Sequence, residues 1–475
     1  MEKLSAGMDA FNGVLQVIND YLYGSVLFAL LILAGLYFTI KTDFVQLRFL
    51  KEGIQLLGEK NENENAVSSF QALMISTASR VGVGNIAGVA TAIAIGGSGA
   101  VFWMWLMALL GAASAFAEST LAQIYKVRGR NGEFRGGPAY YIEQAMRKRW
   151  LGILFSILLV ACFAYGFNAL QANNIVSSLS YYFGGTFESK LVPAICGVIL
   201  AVATAAVIFG GQDKIAFITS VIVPVMAIIY LAIGFFVFVK NINAVPAMFV
   251  SIFRNAFDFQ AMMGAFGGSA VVMGIKRGLF SNEAGMGSAP NAAASAHVSH
   301  PVKQGLVQML SVFIDTLIIC STSAFIILLS GVDTTSGLEA MPLVQQALFS
   351  QFGVLGIHFI TISVFFFAFS SIVGNYYYTE SNMRFIFGQH VHLKVFRWTV
   401  VVAVFLGSIA GYSFVWNLAD VLMGFMALIN VGVILQLSGT VKACLKDYRT
   451  QKEAGKDPVF VAKHIGLKKT KVWRE

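Results

Sequence analysis

STASRVGVGNIAGVATAIAIGGSGAVFWMW, residues 76–105, is the stretch whose reading decides the fold. It is polar and glycine-broken, yet apolar runs flank it on both sides. Gly82, Gly84 and Gly88 each weaken a helix interior by roughly 1 kcal/mol relative to Ala. Ser76, Thr77, Ser79, Arg80 and Asn85 add polar side chains to a segment otherwise long and apolar enough to cross a bilayer. Inside a membrane such residues face a cavity or a partner. Irregular backbone survives there only where protein or water covers its N–H and C=O groups. The run is therefore expected to be a broken helix lining a solute site.

Composition places the whole chain in the same setting. Of 475 residues 57% are hydrophobic and 12% charged, with mean hydropathy +0.72, against about 25% charged residues in soluble proteins. A single polytopic membrane domain is expected. The first twenty residues lack a basic region followed by a short apolar core and a small-residue cleavage site, so no cleaved signal peptide is expected. Cys162, Cys196, Cys320 and Cys444 have neither metal-site spacing nor the pattern of a disulfide framework. The net charge of +9 does not point to nucleic acid, because the basic residues gather in alternate loops. These are 41–66, 126–149, 211–214, 276–303 and 381–397, together with the tail after 441. The other side holds only Lys3, Lys190, Lys240 and Arg254, and Arg80 alone lies within a span. By the positive-inside rule the N-terminus is outside and the C-terminus cytoplasmic. The tail 442–475 reads as solvated or facing lipid headgroups.

Apolar runs able to cross about 30 Å of hydrocarbon fall at 21–40, 67–96, 99–125, 150–180, 191–210, 215–239, 259–276, 304–330, 352–380, 397–413 and 416–440. The fold class is thus an all-α polytopic membrane protein of about 11 transmembrane helices. Phe44, Leu47, Leu50, Ile54 and Leu57, spaced among basic residues, predict an amphipathic helix on the inner surface within 43–66. A tight turn around Tyr412 and Trp416 is expected to join the last two spans. A second glycine-interrupted run, GAFGGSAVVMGIKRGLFSNEAGMGSAP, occupies 264–290. Interrupted spans at corresponding positions of two halves point to a transporter site. Counting 67–96 as core helix one makes 259–276 core helix six, and an offset of five spans reverses orientation. That is a 5+5 inverted repeat with discontinuous core helices 1 and 6 plus one extra N-terminal helix. The chain then divides into 1–66 (N-terminal helix and linker), 67–239 and 259–440 (the repeats) and 441–475 (basic tail).

Other polar residues carry two readings each. In FFFAFSSIVGNYYYTE, 365–380, the Ser370 and Ser371 hydroxyls either bond back to a carbonyl one turn earlier or complete an all-oxygen cation site, with Asn375 nearby. Asn168 and Gln171 share a helix face and suit either interhelical hydrogen bonds or substrate contact. Arg80 needs a counter-charge and is expected in a structural or gating salt bridge on the cytoplasmic side. Asp315, in mid-span, is either a hydrogen-bonded structural group or a proton or cation linkage. Glu283 is expected to brace its loop, GGPAYY at 136–141 to shape a turn, and FWMW at 102–105 to pack. His297, His300, His390 and His392 are expected to face solvent. GVGNIAG lacks dinucleotide-fingerprint spacing, and no Walker A, H-E-x-x-H or G-x-S-x-G motif occurs, so an ATP-driven pump or an enzyme is disfavoured.

The runs RVGVGNIAGVATAI (80–93), FWMW (102–105), GGPAYYIE (136–143), RGLFSNEAGMGSAP (277–290) and FSSIVGNYYYTE (369–380) resemble the alanine or glycine:cation symporter family. These are bacterial and archaeal sodium-coupled amino acid carriers, and the resemblance spans about residues 67–440. It implies a leucine-transporter-like inverted-repeat fold in the cytoplasmic membrane. The activity implied is symport of a small neutral amino acid (alanine, glycine or glutamine) with sodium. Matched to the unwound first helix of that fold, the N–H groups of Val83, Gly84 and Asn85 would face the carboxylate, with Ser79 beside them. An exposed helix N-terminus suits an anion. Carbonyls of Ala78, Val81 and Phe367 and hydroxyls of Ser370 and Ser371 would hold sodium. Carbonyls of Phe266, Gly267 and Gly268 would take the amino group, and Gln171 would close the pocket. Relatives often have Pro at Ser98, Thr at Val83 or Ser371, and Trp at Asn375. The last two departures bear on cargo. The expected partners are the amino acid, sodium and membrane lipid, with no nucleic acid and no obligate protein partner. Competing readings are proton-coupled symport in the same fold, where Asp315 would matter, and a non-transporting sensor or intramembrane enzyme, for which no convergent nucleophile and base is found.

Overall fold

A lipid-facing backbone must satisfy its own hydrogen bonds, and helices do so within one segment. The computed structural model describes residues 2–59, 67–129, 132–184, 187, 189–258, 269–388, 392–467 and 470–473. Among them eight helices are long and apolar enough to cross a membrane, and a pair bent by 54° makes a ninth candidate. In order these are α1 (Gly7–Lys41), the bent pair α2 (Ser69–Arg80) and α3 (Gly84–Gly96), α4 (Gly99–Ile124), α5 (Arg149–Ser178), α6 (Leu191–Ile208) and α7 (Thr219–Lys240). The shorter α8 (Ala270–Asn282) and α9 (Pro290–Ala293) follow. Then come α10 (Pro301–Leu328), α11 (Val354–Phe387), α12 (Leu393–Ile409), α13 (Tyr412–Gln436) and α14 (Ser438–Glu453).

Most of the expected spans have a helix, with adjustments. The run at 259–276 is described only from residue 269, mainly as α8, and the run at 397–413 is the 17-residue α12. The turn between the last two spans falls at Ala410–Gly411, ahead of Tyr412 rather than around it. The linker forms two short helices, Val45–Arg48 and Leu50–Leu56, with Phe44, Leu47 and Ile54 exposed and Val45 and Leu56 buried. FWMW packs: Trp103 Nε1 donates to the Ala256 carbonyl (2.9 Å) and Trp105 Nε1 to Ser321 Oγ (2.7 Å).

The bent pair and α8 run antiparallel. A Cβ on Gly96, the far end of α3, would meet Ala270 and Met273 at the start of α8. Residues at the end of α8 reach the bend instead, where Asn85 Nδ2 donates to Ser281 Oγ (3.1 Å).

The tail is not simply solvated. In α14, Val441, Cys444, Leu445 and Tyr448 are buried, and the chain beyond it folds back on the bundle. Phe460 N–H donates to the Ser299 carbonyl (2.9 Å), and Trp473 Nε1 donates to the Gln123 carbonyl (2.8 Å). The rings of Phe134 and Trp473 cover the buried Lys126 ammonium at 4.1 and 4.7 Å. Burial pushes that ammonium down to about 7, with repulsion from Arg128 adding to it. His300 likewise departs from expectation. It is fully buried, accepts from Val302 N–H through Nδ1 (3.2 Å) as the cap of α10, and meets Asp447 of α14.

Candidate functional site

Between α2 and α3 the regular helical ladder stops, so the backbone groups there take other partners; Asn85 N–H turns back to the Gly82 carbonyl (3.2 Å). Side chains from four other elements converge on this gap. Gly82 N–H donates to Asn85 Oδ1 (3.0 Å) and Val83 N–H to Gln171 Oε1 of α5 (3.2 Å). A Cβ on Gly82 would stand 2.3 Å from Ser371 Oγ and 2.8 Å from Gln171 Nε2, and one on Gly84 would stand 2.5 Å from the Phe280 ring. Neither position can carry a side chain with its neighbours in place.

On the carbonyl side, Ser371 Oγ lies 3.4 Å from the Val81 carbonyl oxygen and donates to the Phe367 carbonyl (3.0 Å). Ser370 Oγ donates to the same Phe367 carbonyl (2.9 Å). Both hydroxyls thus bond back to the Phe367 carbonyl, the first of the two readings of this pair, and Ser371 adds a contact across to α2. Gly374 brings α11 against α2 backbone to backbone, since a Cβ there would be 2.7 Å from Ser79 N and 3.2 Å from Ala78 C. Val81, Phe367, Ser370 and Ser371 are therefore brought together, with Ala78 at the adjoining contact. Phe266, Gly267 and Gly268 lie outside the described residues.

The second interruption that meets the first runs from Glu283 to Ala289, between α8 and α9. Glu283, Gly285 and Gly287 all have positive φ there, the conformation that glycine adopts without cost. Glu118 of α4 accepts from Gly285 N–H (3.2 Å), Gly287 N–H (3.1 Å) and Asn430 Nδ2 (2.7 Å), so a buried carboxylate satisfies the donors this break exposes. Glu283 does more than brace its loop. Its Oε2 accepts from Ser288 (2.6 Å), and its Oε1 lies 2.9 Å from Ser79 Oγ. Ser79 also lies 2.7 Å from the Asn375 amide, which lies 2.9 Å from that of Asn168. Asn375 Nδ2 donates to Asn168 Oδ1, and the single Ser79 proton is shared between Asn375 Oδ1 and Glu283 Oε1. Asn168 Nδ2 lacks a partner among the described residues. Sequence reasoning missed the roles of Glu118 and Glu283. Their signal was a carboxylate within an apolar helix and another in a double-glycine turn.

Asp315 is a hydrogen-bonded group beside the bend. It accepts from Asn85 Nδ2 (2.6 Å), Ser281 Oγ (2.5 Å) and Thr316 Oγ1 (3.1 Å). It sits in a π-helical stretch, Phe313–Cys320, and two more such stretches, Gly84–Gly88 and Val160–Phe167, adjoin the same region. Such widened turns concentrate at functional sites. Arg80 has no ion pair among the described residues, contrary to expectation. Its Nη1 donates to Ser311 Oγ of α10.

A helical bundle with a broken helix meeting an interrupted, oppositely directed one is a membrane-transporter architecture. Its fold is similar to that of a manganese transporter from Eremococcus coleocola, at a TM-score of 0.51 and 13% identity over 86% of this chain and 85% of that one. That likeness concerns fold alone. The chain belongs to the sodium:alanine symporter family, whose model matches residues 8–462. It is 50% identical to the amino-acid carrier protein AlsT of Bacillus subtilis, over 98% of each chain. It is 46% identical to the probable sodium/glutamine symporter GlnT of the same organism, over 94% of this chain and 92% of that one.

Proposed function

We propose that this protein imports a small neutral amino acid (alanine, glycine or glutamine) by symport with sodium, through alternating access around the bend between Arg80 and Gly84. The observation that carries the reading is the meeting of Ser371 Oγ with the Val81 and Phe367 carbonyls at the end of α2. Two oxygens that each sit ~2.4 Å from a hard cation at right angles lie ~3.4 Å apart, the separation found between Val81 O and Ser371 Oγ. Each Ser hydroxyl keeps lone pairs after donating its proton. Sodium would be held by the carbonyls of Ala78, Val81 and Phe367 and the hydroxyls of Ser370 and Ser371. The cargo carboxylate would be held by the N–H groups of Val83, Gly84 and Asn85. Gln171 Oε1, on Val83 N–H, stands where a carboxylate oxygen would bind and must yield to it. Ser79 would contact the cargo, and its amino group would go to the carbonyls of Phe266, Gly267 and Gly268. The antiparallel course of α8 along α3 supports inverted repeats at 67–239 and 259–440. The distribution of basic loops supports a cytoplasmic membrane location with the N-terminus outside.

Thermal stabilisation by a panel of amino acids, with and without sodium, tests cargo and ion together. A ligand at about 100 times its Kd adds ~2.7 kcal/mol to the native state. Sodium-driven uptake of labelled alanine, glycine or glutamine into proteoliposomes completes the test, and uptake indifferent to sodium at every pH would refute the ion assignment. One observation favours a second reading, proton-coupled symport: Asp315 lies beside the bend, bonded to Asn85. Uptake driven by a pH gradient without sodium, and lost in Asp315→Asn, would establish it instead.

A further inference from the structure

We infer that Arg80 forms an exit site on the cytoplasmic side of the bend, where its guanidinium takes the carboxylate of the departing amino acid. The inference rests on the transport reading above and adds a site to it. Arg80 is 2% exposed. One nitrogen, Nη1, is engaged by Ser311, while Nε and Nη2 have no partner among the described residues. Those two nitrogens form one edge of the guanidinium, the fork that matches both oxygens of a planar carboxylate.

The protein's own carboxylates do not take this edge. Glu118, Glu283 and Asp315 all lie close enough to feel the Arg80 charge. None is within ion-pair distance of it among the described residues. Each is already hydrogen-bonded: Glu118 to the second break, Glu283 to Ser79 and Ser288, Asp315 to Asn85, Ser281 and Thr316.

A row of buried polar side chains continues from this edge towards Lys303. Gln304, Gln308 and Ser311 are spaced by four and three along α10 and share one face. Gln304 and Gln308 are fully buried, yet neither atom of either amide has a partner among the described residues. Ser119 and Thr120 of α4 are also without partners, and Thr120 Oγ1 lies against Gly305 of α10. The row ends at Lys303, whose ammonium pairs with Glu59 (2.6 Å) and Asp457 (2.8 Å) at the surface. Buried polar groups left unmet are costly, so this row takes water or polar cargo. Cargo would pass from the N–H groups of α3 to Arg80, then along Gln308 and Gln304.

The test compares the two faces of the membrane. Uptake and exchange of labelled L-alanine and L-glutamine are measured in right-side-out and inside-out proteoliposomes, for the unaltered protein, Arg80→Lys and Gln308→Leu. Lysine keeps the charge and loses the fork. Arg80→Lys is expected to raise KM at the cytoplasmic face about tenfold, the scale of a charge-assisted hydrogen bond. KM at the outer face should stay within about twofold. Gln308→Leu should shift the cytoplasmic KM in the same direction. Equal changes at both faces, or none at either, would overturn the site and leave Arg80 a structural residue solvated by water. If Arg80→Lys does not fold, Gln308→Leu decides alone by the same criterion. Absence of sodium-driven uptake by the unaltered protein would overturn the transport reading, and this site with it.

Discussion

The three glycines of the motif at the bend should respond to one substitution in opposite ways. A Cβ on Gly82 would sit 2.3 Å from Ser371 Oγ and 2.8 Å from Gln171 Nε2. Ordinary contact begins near 3.4 Å, so the Ser371 hydroxyl would have to retreat by about 1 Å from the Val81 and Phe367 carbonyls. Overpacking of that kind costs ~1–3 kcal/mol. Here the strain falls on a proposed sodium ligand, so Gly82→Ala should weaken sodium affinity about 5- to 150-fold. Gly84→Ala would press on the Phe280 ring and should impair cargo binding. Gly88 is different: it has helical dihedrals, and the nearest atom to its Cβ, on Trp416, is 3.7 Å away. Gly88→Ala should therefore be neutral or stabilise by ~0.5–1 kcal/mol, because Ala loses less entropy in a helix. The assay is sodium titration of alanine or glutamine uptake, with thermal midpoints measured alongside. Unchanged sodium affinity in Gly82→Ala, or loss of uptake in Gly88→Ala, would refute the reasoning.

Further outcomes follow from the same geometry. Ser371→Ala should raise the sodium concentration needed for half-maximal uptake while leaving cargo binding at saturating sodium within about threefold; equal loss of both would argue against its role. For Lys126 the folded value, about 7, lies below the unfolded one, near 10.4. Between these pH values the unfolded chain holds a proton that the folded chain does not, so stability rises with pH. The slope is at most ~1.4 kcal/mol per pH unit, less whatever the two rings contribute by holding the charge. Thermal midpoints should climb from pH 7 to pH 9 and flatten in Lys126→Met, and an equal slope in both proteins would count against the assignment. Trp473→Ala removes the ring over Lys126 and the bond to Gln123, so trypsin should cut the tail after Lys456 or Lys463 several-fold faster. Unaltered cleavage would mean that the docking of Trp473 contributes nothing to holding the tail.

Much of this was legible in the sequence because membrane placement punishes exceptions. Glycine and polar residues at 76–88 had to break a helix, and Ser370 and Ser371 had to meet something, since lipid accepts neither. A second break was expected at Gly264, Gly267 and Gly268, which lie outside the described residues; the interruption that meets Ser79 among the described residues, at Glu283–Ala289, was not expected. Its glycines adopt positive φ, a property of dihedrals that composition does not reveal. The tail misled for a different reason. Its basic residues read as solvated, while three widely spaced residues, Tyr448, Phe460 and Trp473, do the docking, and no periodicity marks them. Arg80 was expected to find a carboxylate because charge is visible in sequence; that each nearby carboxylate is already occupied is not.

The contact at Gly374 sets how closely α11 lies on α2. With α11 lying directly on the Ala78–Ser79 backbone, no side chain can be inserted at 374 without prying two helices apart. The next residue, Asn375, is thereby held at a fixed depth, facing Ser79 on one hand and Asn168 on the other. On the proposed reading, in which Ser79 contacts the cargo, exchanging 168 and 375 together changes what Ser79 faces while 374 stays as the fixed point between the two helices.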